Sequence, residues 1–301
     1  MRPIKIVEVA ARDGLQNEQQ LISAATKIQL VDRLSSAGFV NIEAASFVSP
    51  KWVPQMADGA AVMQGIARKR GTVYSVLTPN LQGLEAALAA SADEVVIFAA
   101  ASEAFSQKNI NCSIADSIAR FEPVARAALA AGVRLRGSIS CAMVCPYQGD
   151  VSIAQVVAVV EQLARLGCHE IDIADTIGVG TAGQVQSVLS ACSKVYPIAQ
   201  LSGHFHDTYG QALTNIYAAL EVGVSIFHSS VAGIGGCPYA KGATGNVATE
   251  DVLYLLHGLG HPTGIDLTQV VLTGHWISQQ LGRPNASRVG KALMTKMAGA
   301  V

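Results

Sequence analysis

Short β-branched and apolar runs recur along the chain at residues 4–10, 41–46, 72–77, 94–100, 135–141, 170–176, 201–207 and 226–231. Their length and residue types are those of strands. Between them lie Ala-, Leu- and Gln-rich stretches with helical spacing, among them 26–37, 81–90, 113–131 and 153–166. Gly38, Gly132, Gly167 and Gly223 close such stretches just ahead of the next strand, where helix stops belong. Strands alternating with helices imply a parallel sheet. Eight such units predict a (β/α)8 TIM barrel, and the absence of GxGxxG after the first strand argues against an open dinucleotide-binding sheet. No linker or low-complexity tract interrupts the pattern. It predicts one α/β domain over residues 1–301, with a short C-terminal helical extension from about residue 267.

Composition narrows the class. Half of the residues are hydrophobic and 14% are charged, the balance of a chain with a large core rather than a disordered one. A formal net charge of −1 gives no general affinity for nucleic acid or acidic membranes. The chain runs from Met1-Arg2-Pro3 straight into its first strand, too short a run for a signal-peptide core. No segment approaches the roughly 20 apolar residues of a membrane span. Six cysteines, Cys112, Cys141, Cys145, Cys168, Cys192 and Cys237, form no CxxC pair and read as reduced thiols. Cys141 and Cys145, four apart, read as small buried hydrophobes rather than metal ligands. The expectation is a soluble cytoplasmic enzyme.

Barrel enzymes carry their chemistry at the carboxyl ends of strands. Here Arg12-Asp13 closes the first predicted strand, Glu43 and Ser46 the second, Asp175 the sixth and His204-Phe205-His206-Asp207 the seventh. After the eighth comes a glycine-rich loop containing Gly233, Gly235, Gly236, Cys237, Gly242, Gly245 and Asn246. On a strand, residues two apart share a face, so His204 and His206 can reach one cation, although such a pair can equally be core histidines. Asp13 and Asn246 on the same rim shift the balance toward a cation. Two imidazoles, a carboxylate and an amide oxygen suit Mg2+ or Mn2+ better than a closed thiolate zinc site. Arg12, oriented by Glu43, is a candidate to hold an oxyanion, with a surface salt pair as the alternative. The glycine-rich loop reads either as a lid over substrate or as a structural turn around a buried Cys237.

Several ordered runs resemble one family. They are Arg12-Asp13-Gly14-Leu15-Gln16-Asn17-Glu18, Ser46-Phe47-Val48-Ser49-Pro50-Lys51-Trp52-Val53-Pro54-Gln55-Met56, Asp175-Thr176-Ile177-Gly178, His204-Phe205-His206-Asp207-Thr208-Tyr209-Gly210-Gln211 and Gly235-Gly236-Cys237-Pro238-Tyr239-Ala240. Together they look like the 3-hydroxy-3-methylglutaryl-CoA lyases, with the similarity running from about residue 4 to 281. The resemblance implies a divalent cation, Mg2+ or Mn2+, held by Asp13, His204, His206 and Asn246. It implies that Arg12 stabilises an enolate, with Glu43 supporting the site and Arg12, Ser46 and Asp175 facing substrate. Cys237 or His204 would return the proton. It further implies an acyl-CoA substrate and a homodimer.

The chain departs from that family's more usual residues at Ala11, Ala99, Val144, Asp172, Ala174 and His228, where Pro, Gly, Gly, Ser, Gly and Asp are commoner. These positions bear on the acyl pocket or on barrel packing and leave every implied catalytic residue in place. The competing readings are a lyase for citramalyl-CoA or a longer 3-substituted hydroxyglutaryl-CoA, a condensing synthase of the same barrel group, and a non-catalytic acyl-CoA-binding barrel. Lys51 and Lys108 are the basic candidates for the CoA nucleotide, against a default of solvated surface lysines.

Overall fold

A computed structural model of the chain describes residues 3–236 and 245–299. Eight parallel strands close into a barrel: β1 (Lys5–Glu8), β2 (Asn41–Ser46), β3 (Val73–Leu77), β4 (Glu94–Ala100), β5 (Arg134–Ser140), β6 (Glu170–Asp175), β7 (Leu201–Phe205) and β8 (Ile226–Ser229). Each pairs with its neighbours in the chain, and β1 shuts the barrel on β8 from Lys5↔Ile226 to Glu8↔Ser229. Helices follow the strands in turn: α1 (Ala24–Ser36), α2 (Gly59–Gly65), α3 (Leu81–Ala89), α4 (Glu103–Ile110), α5 (Ile114–Ala130), α6 (Ile153–Arg165), α7 (Ala182–Cys192), α8 (Ala212–Val222) and α9 (Thr249–Gly258). Two more, α10 (Leu267–Gln280) and α11 (Arg288–Ala298), form the expected C-terminal extension, with α10 packed on α1 and α9. The (β/α)8 TIM barrel predicted from the pattern is the fold.

Local chemistry explains the elements. Strands β2, β6 and β7 are buried along their whole length, as parallel strands covered by helices are. Helix α6 buries Val156, Val159, Val160 and Leu163, one stripe at helical spacing. Each such side chain contributes roughly 1.5–3 kcal/mol by leaving water. Ser23, Asn80, Ser113 and Ser152 start their helices by accepting the backbone N–H of Thr26, Gly83, Asp116 and Gln155. The four glycines expected to stop helices all hold positive φ.

The strands end earlier than the apolar runs. Strand β1 stops at Glu8, and residues Ala10–Gly14 form a single π-helical turn instead of continuing it. Arg12 and Asp13 therefore sit on that turn rather than on a strand end, a distortion common at functional sites. Glu43 lies in the middle of β2, and a register shift between Glu43 and Ala45 interrupts its ladder to β3. Strand β7 ends at Phe205, so His206 has already left the barrel ladder.

Candidate active site

Three segments far apart in sequence build the site at the carboxyl end of the barrel. The π-helical turn after β1 brings Arg12 and Asp13. The end of β7 brings His204, and the next residue but one, His206, pairs across an antiparallel bridge with Asn246. The returning chain is pinned there by Asp207 N–H on the Gly245 carbonyl at 2.8 Å and Val247 N–H on the Phe205 carbonyl at 3.3 Å. Gly178, at φ +69°, lets the turn after β6 pass beside this segment. A Cβ there would meet the His206 carbonyl and the Thr208 amide at 2.9 Å.

The expected ligands converge. Asp13, His204 and His206 each offer an atom within 4.8 Å of the others. His204 Nε2 lies 4.0 Å from Asp13 Oδ2, and Asn246 Nδ2 donates to the same carboxylate oxygen at 2.7 Å. His206 Nδ1 is buried with no partner at hydrogen-bonding distance. Burial, then the neighbouring His204, pulls His206 down to about 4 against the attraction of Asp13, so its imidazole is neutral, the form that binds metal. Burial alone would raise the Asp13 carboxyl, but Arg12, His204 and His206 outweigh it and hold the group ionised below its usual range. A neutral imidazole with an unfilled nitrogen, a second imidazole, an ionised carboxylate and an amide fit a hard or borderline divalent cation.

Arg12 stands beside this set. Its Nη1 donates to Asp13 Oδ1 at 2.9 Å and its Nε donates to Glu43 Oε1. Burial works against its charge, yet Glu43 and Asp13 more than offset that and hold its pKa above the usual value. Glu43, 1% exposed, is held below the usual carboxylate range by Arg12 and Arg136 against the opposing effect of burial.

Arg136 belongs to a lattice that the sequence reading did not anticipate. Most barrels of this kind fill their interior with branched apolar residues. Here Arg136 reaches Glu43 Oε2 at 2.7 Å and Glu94 Oε1 at 3.1 Å, and its Nη1 lies 3.3 Å from His228 Nε2. His228 in turn faces Glu170 Oε1 at 3.3 Å and Asp172 Oδ2 at 3.5 Å. The signal was present in the alternation of β5, polar at Arg134, Arg136, Ser138 and Ser140, and of β6, acidic at Glu170 and Asp172. It was hidden because nothing local says which face of a strand looks into the barrel.

A cavity of about 740 Å³ opens over the site and includes Arg12, Asp13, Glu43, His204 and His206 in its lining. Two expected substrate contacts are not in that lining. The Ser46 hydroxyl is buried and accepts the Val48 N–H at 3.3 Å. The Asp175 carboxylate accepts the N–H of Val179 and of Gly180, at 3.2 and 2.8 Å, and so fixes the turn after β6. Both placements have one cause: a polar side chain at a strand end satisfies the unpaired backbone of the turn beside it. Lys108 lines the cavity and Lys51 does not. Cys237 lies outside the described residues.

The HMGL-like family profile matches residues 3–277. The chain is 58% identical over 295 residues to the 3-hydroxy-3-isohexenylglutaryl-CoA/hydroxy-methylglutaryl-CoA lyase of Pseudomonas aeruginosa, covering 98% of both chains. It is 54% identical over 289 residues to human mitochondrial hydroxymethylglutaryl-CoA lyase, covering 96% of this chain and 89% of the human one. The crystal structure of hydroxymethylglutaryl-CoA lyase from Pseudomonas aeruginosa superposes with a TM-score of 0.96 at 58% identity and 98% coverage of each chain. An HMG-CoA lyase from Acinetobacter baumannii, in complex with coenzyme A and 3-methylmalate, superposes with a TM-score of 0.93 at 37% identity, covering 96% of this chain and 95% of that one.

Proposed function

This chain belongs to the HMGL-like family, and from that premise we propose that it is a divalent-metal-dependent carbon–carbon lyase cleaving 3-hydroxy-3-methylglutaryl-CoA to acetyl-CoA and acetoacetate. The observation that carries the reading is the 2.9 Å contact of Arg12 Nη1 with Asp13 Oδ1, which sets a charged multi-donor fork directly beside the cation ligands. The reaction needs that juxtaposition. A base takes the proton of the tertiary hydroxyl, its carbon becomes the ketone carbon of acetoacetate as the bond to the thioester α-carbon breaks, and the electron pair goes to the α-carbon as an enolate. A cation bound by Asp13, His204, His206 and Asn246 supplies Lewis-acid polarisation of the substrate hydroxyl. Mg2+ and Mn2+ both suit this donor set.

Arg12 faces the enolate oxygen with its guanidinium held by Glu43 and Asp13. A fixed donor of this kind stabilises developing charge without reorganising during the reaction. Cys237 returns a proton to the new methyl group. The substrate's CoA portion enters through the cavity mouth, where Lys108 and Arg120 supply positive charge. Homodimer assembly is part of the proposal and rests on the family resemblance. A cytoplasmic location rests on the five free cysteines among the described residues. Among those residues no helix is long and apolar enough to cross a membrane.

A second reading, a longer 3-substituted hydroxyglutaryl-CoA, is favoured by Leu77, Val96, Phe98 and Phe121, which give the cavity an apolar wall. A hydrophobic pocket separates substrates by only ~1–3 kcal/mol per methylene, so activity on both is expected. The deciding experiment measures acetyl-CoA release from 3-hydroxy-3-methylglutaryl-CoA, citramalyl-CoA and a longer 3-alkyl analogue, with and without EDTA. Efficient cleavage of another substrate with none of the first would overturn the named substrate. Full activity of the metal-stripped protein in EDTA would overturn the cation's role.

A further inference from the structure

His204 belongs to two clusters at once. Its Nε2 points toward Asp13 and the cation ligands, while its Nδ1 points down the barrel, 3.4 Å from His228 Nδ1 and 3.8 Å from Asp172 Oδ2. Asp172, His204 and His228 could by distance hold a cation of their own, since an atom from each lies within 4.8 Å of the others. Charge argues against a second ion. Arg136 Nη1 lies 3.3 Å from His228 Nε2, and this guanidinium is fully buried and permanently charged. The lower cluster has its cation already.

The same cluster can serve the upper one. For Nε2 of His204 to offer a lone pair, its proton must sit on Nδ1, and a metal-binding histidine is generally fixed in that tautomer by a carboxylate or carbonyl at the other nitrogen. Asp172 is the one carboxylate paired with Nδ1 among the described residues. It is 2% exposed, its Oδ2 is held by the Ser138 hydroxyl at 2.8 Å, and its Oδ1 has no hydrogen-bond partner. His228 stands edge-on to the His204 ring at 5.5 Å between centroids, with its Nε2 turned to Glu170, and walls the ring in from β8.

We propose that Asp172 is a positioning residue for His204: its buried carboxylate, 3.8 Å from Nδ1, favours the proton on that nitrogen by its charge and so presents Nε2 to the cation. This rests on the functional reading above, because it presumes that the upper cluster takes a metal. Asp172 itself touches neither the metal nor the bond that breaks.

Mn2+ binding followed by the electron paramagnetic resonance signal of the free ion tests the idea without turnover. The probe is Mn2+ alone, added to the metal-stripped full chain. Asp172→Asn keeps the size but replaces the charged, acceptor-only carboxylate with a neutral amide, which can donate as well as accept and so no longer fixes the proton on Nδ1. It should weaken Mn2+ binding about 10- to 100-fold, as loss of an outer hydrogen-bond partner does, with the far-ultraviolet circular dichroism unchanged. A second pair of variants keeps the test decisive if that protein misfolds. Asp172→Ser should lose affinity, and Asp172→Ser with His228→Asp should recover it, because a carboxylate at 228 starts 3.4 Å from the same nitrogen. Wild-type binding matched within threefold by a folded Asp172→Asn, or no recovery in the double variant, would overturn the proposal alone. Failure of the wild type to bind Mn2+ would overturn the functional reading and this one with it.

Discussion

Arg136 donates from Nη2 to Glu43 Oε2 across 2.7 Å in the barrel interior, with both side chains 1% exposed. Because the other oxygen of Glu43 holds Arg12, the guanidinium at the cavity floor is aimed from below by an ion pair that solvent does not reach. Arg12 is therefore oriented before any ligand arrives.

Arg136→Met tests how much the fold depends on that pair. Removing the guanidinium leaves Glu43 with Arg12 alone and Glu94 with only the half-exposed His169 and Arg134, a loss of buried pairing that costs about 3–5 kcal/mol. Urea unfolding should show a lower midpoint. A change within experimental error would mean that the carboxylates find other partners or take up protons at no cost.

Arg12→Lys keeps the charge and removes the planar fork. We expect kcat to fall about a hundredfold or more, as when an oxyanion donor is lost. Mn2+ affinity should stay close to wild type, because Arg12 contacts a ligand without being one. Near-normal kcat would reduce Arg12 to a salt-bridge partner of Glu43.

His206→Ala should abolish tight metal binding and activity together while leaving the barrel folded, since His206 lies beyond the last residue of β7. Calorimetric titration with Mn2+, paired with thermal unfolding in EDTA, separates the two effects. Retained affinity would remove His206 from the ligand set.

Glu8 makes a pH prediction away from the site. Burial raises its pKa to about 8, although Thr249, Val231 and Ala10 donate hydrogen bonds to it. The folded protein thus keeps a proton that the unfolded chain gives up near 4.5. The associated stability is fully present below pH 4.5 and is lost as pH rises through about 8. Glu8→Gln imitates the protonated form and should lack that loss. The unfolding free energy of wild type minus variant should fall between about pH 5 and about pH 9. A pH-independent difference would show that Glu8 is not the proton holder.

The sequence by itself determined the alternation of strands and helices, the stops at Gly38, Gly132, Gly167 and Gly223, and the extension from Leu267. It also placed Asp13, His204, His206 and Asn246 at one end of the barrel. These follow from short-range physics: apolar periodicity, backbone freedom at glycine and the position of a residue relative to its own strand. Tertiary structure alone decided the rest. Asn246 meets Asp13 across 233 residues, and Arg136 meets Glu43 across 93. Barrel closure made those contacts by choosing which face of each buried strand looks inward. It also turned Asp175 onto the backbone of its own turn and Asp172 toward His204. The alternation along β5 and β6 separates two faces of each strand, but which of them looks inward is set only by the strands and helices that pack around it.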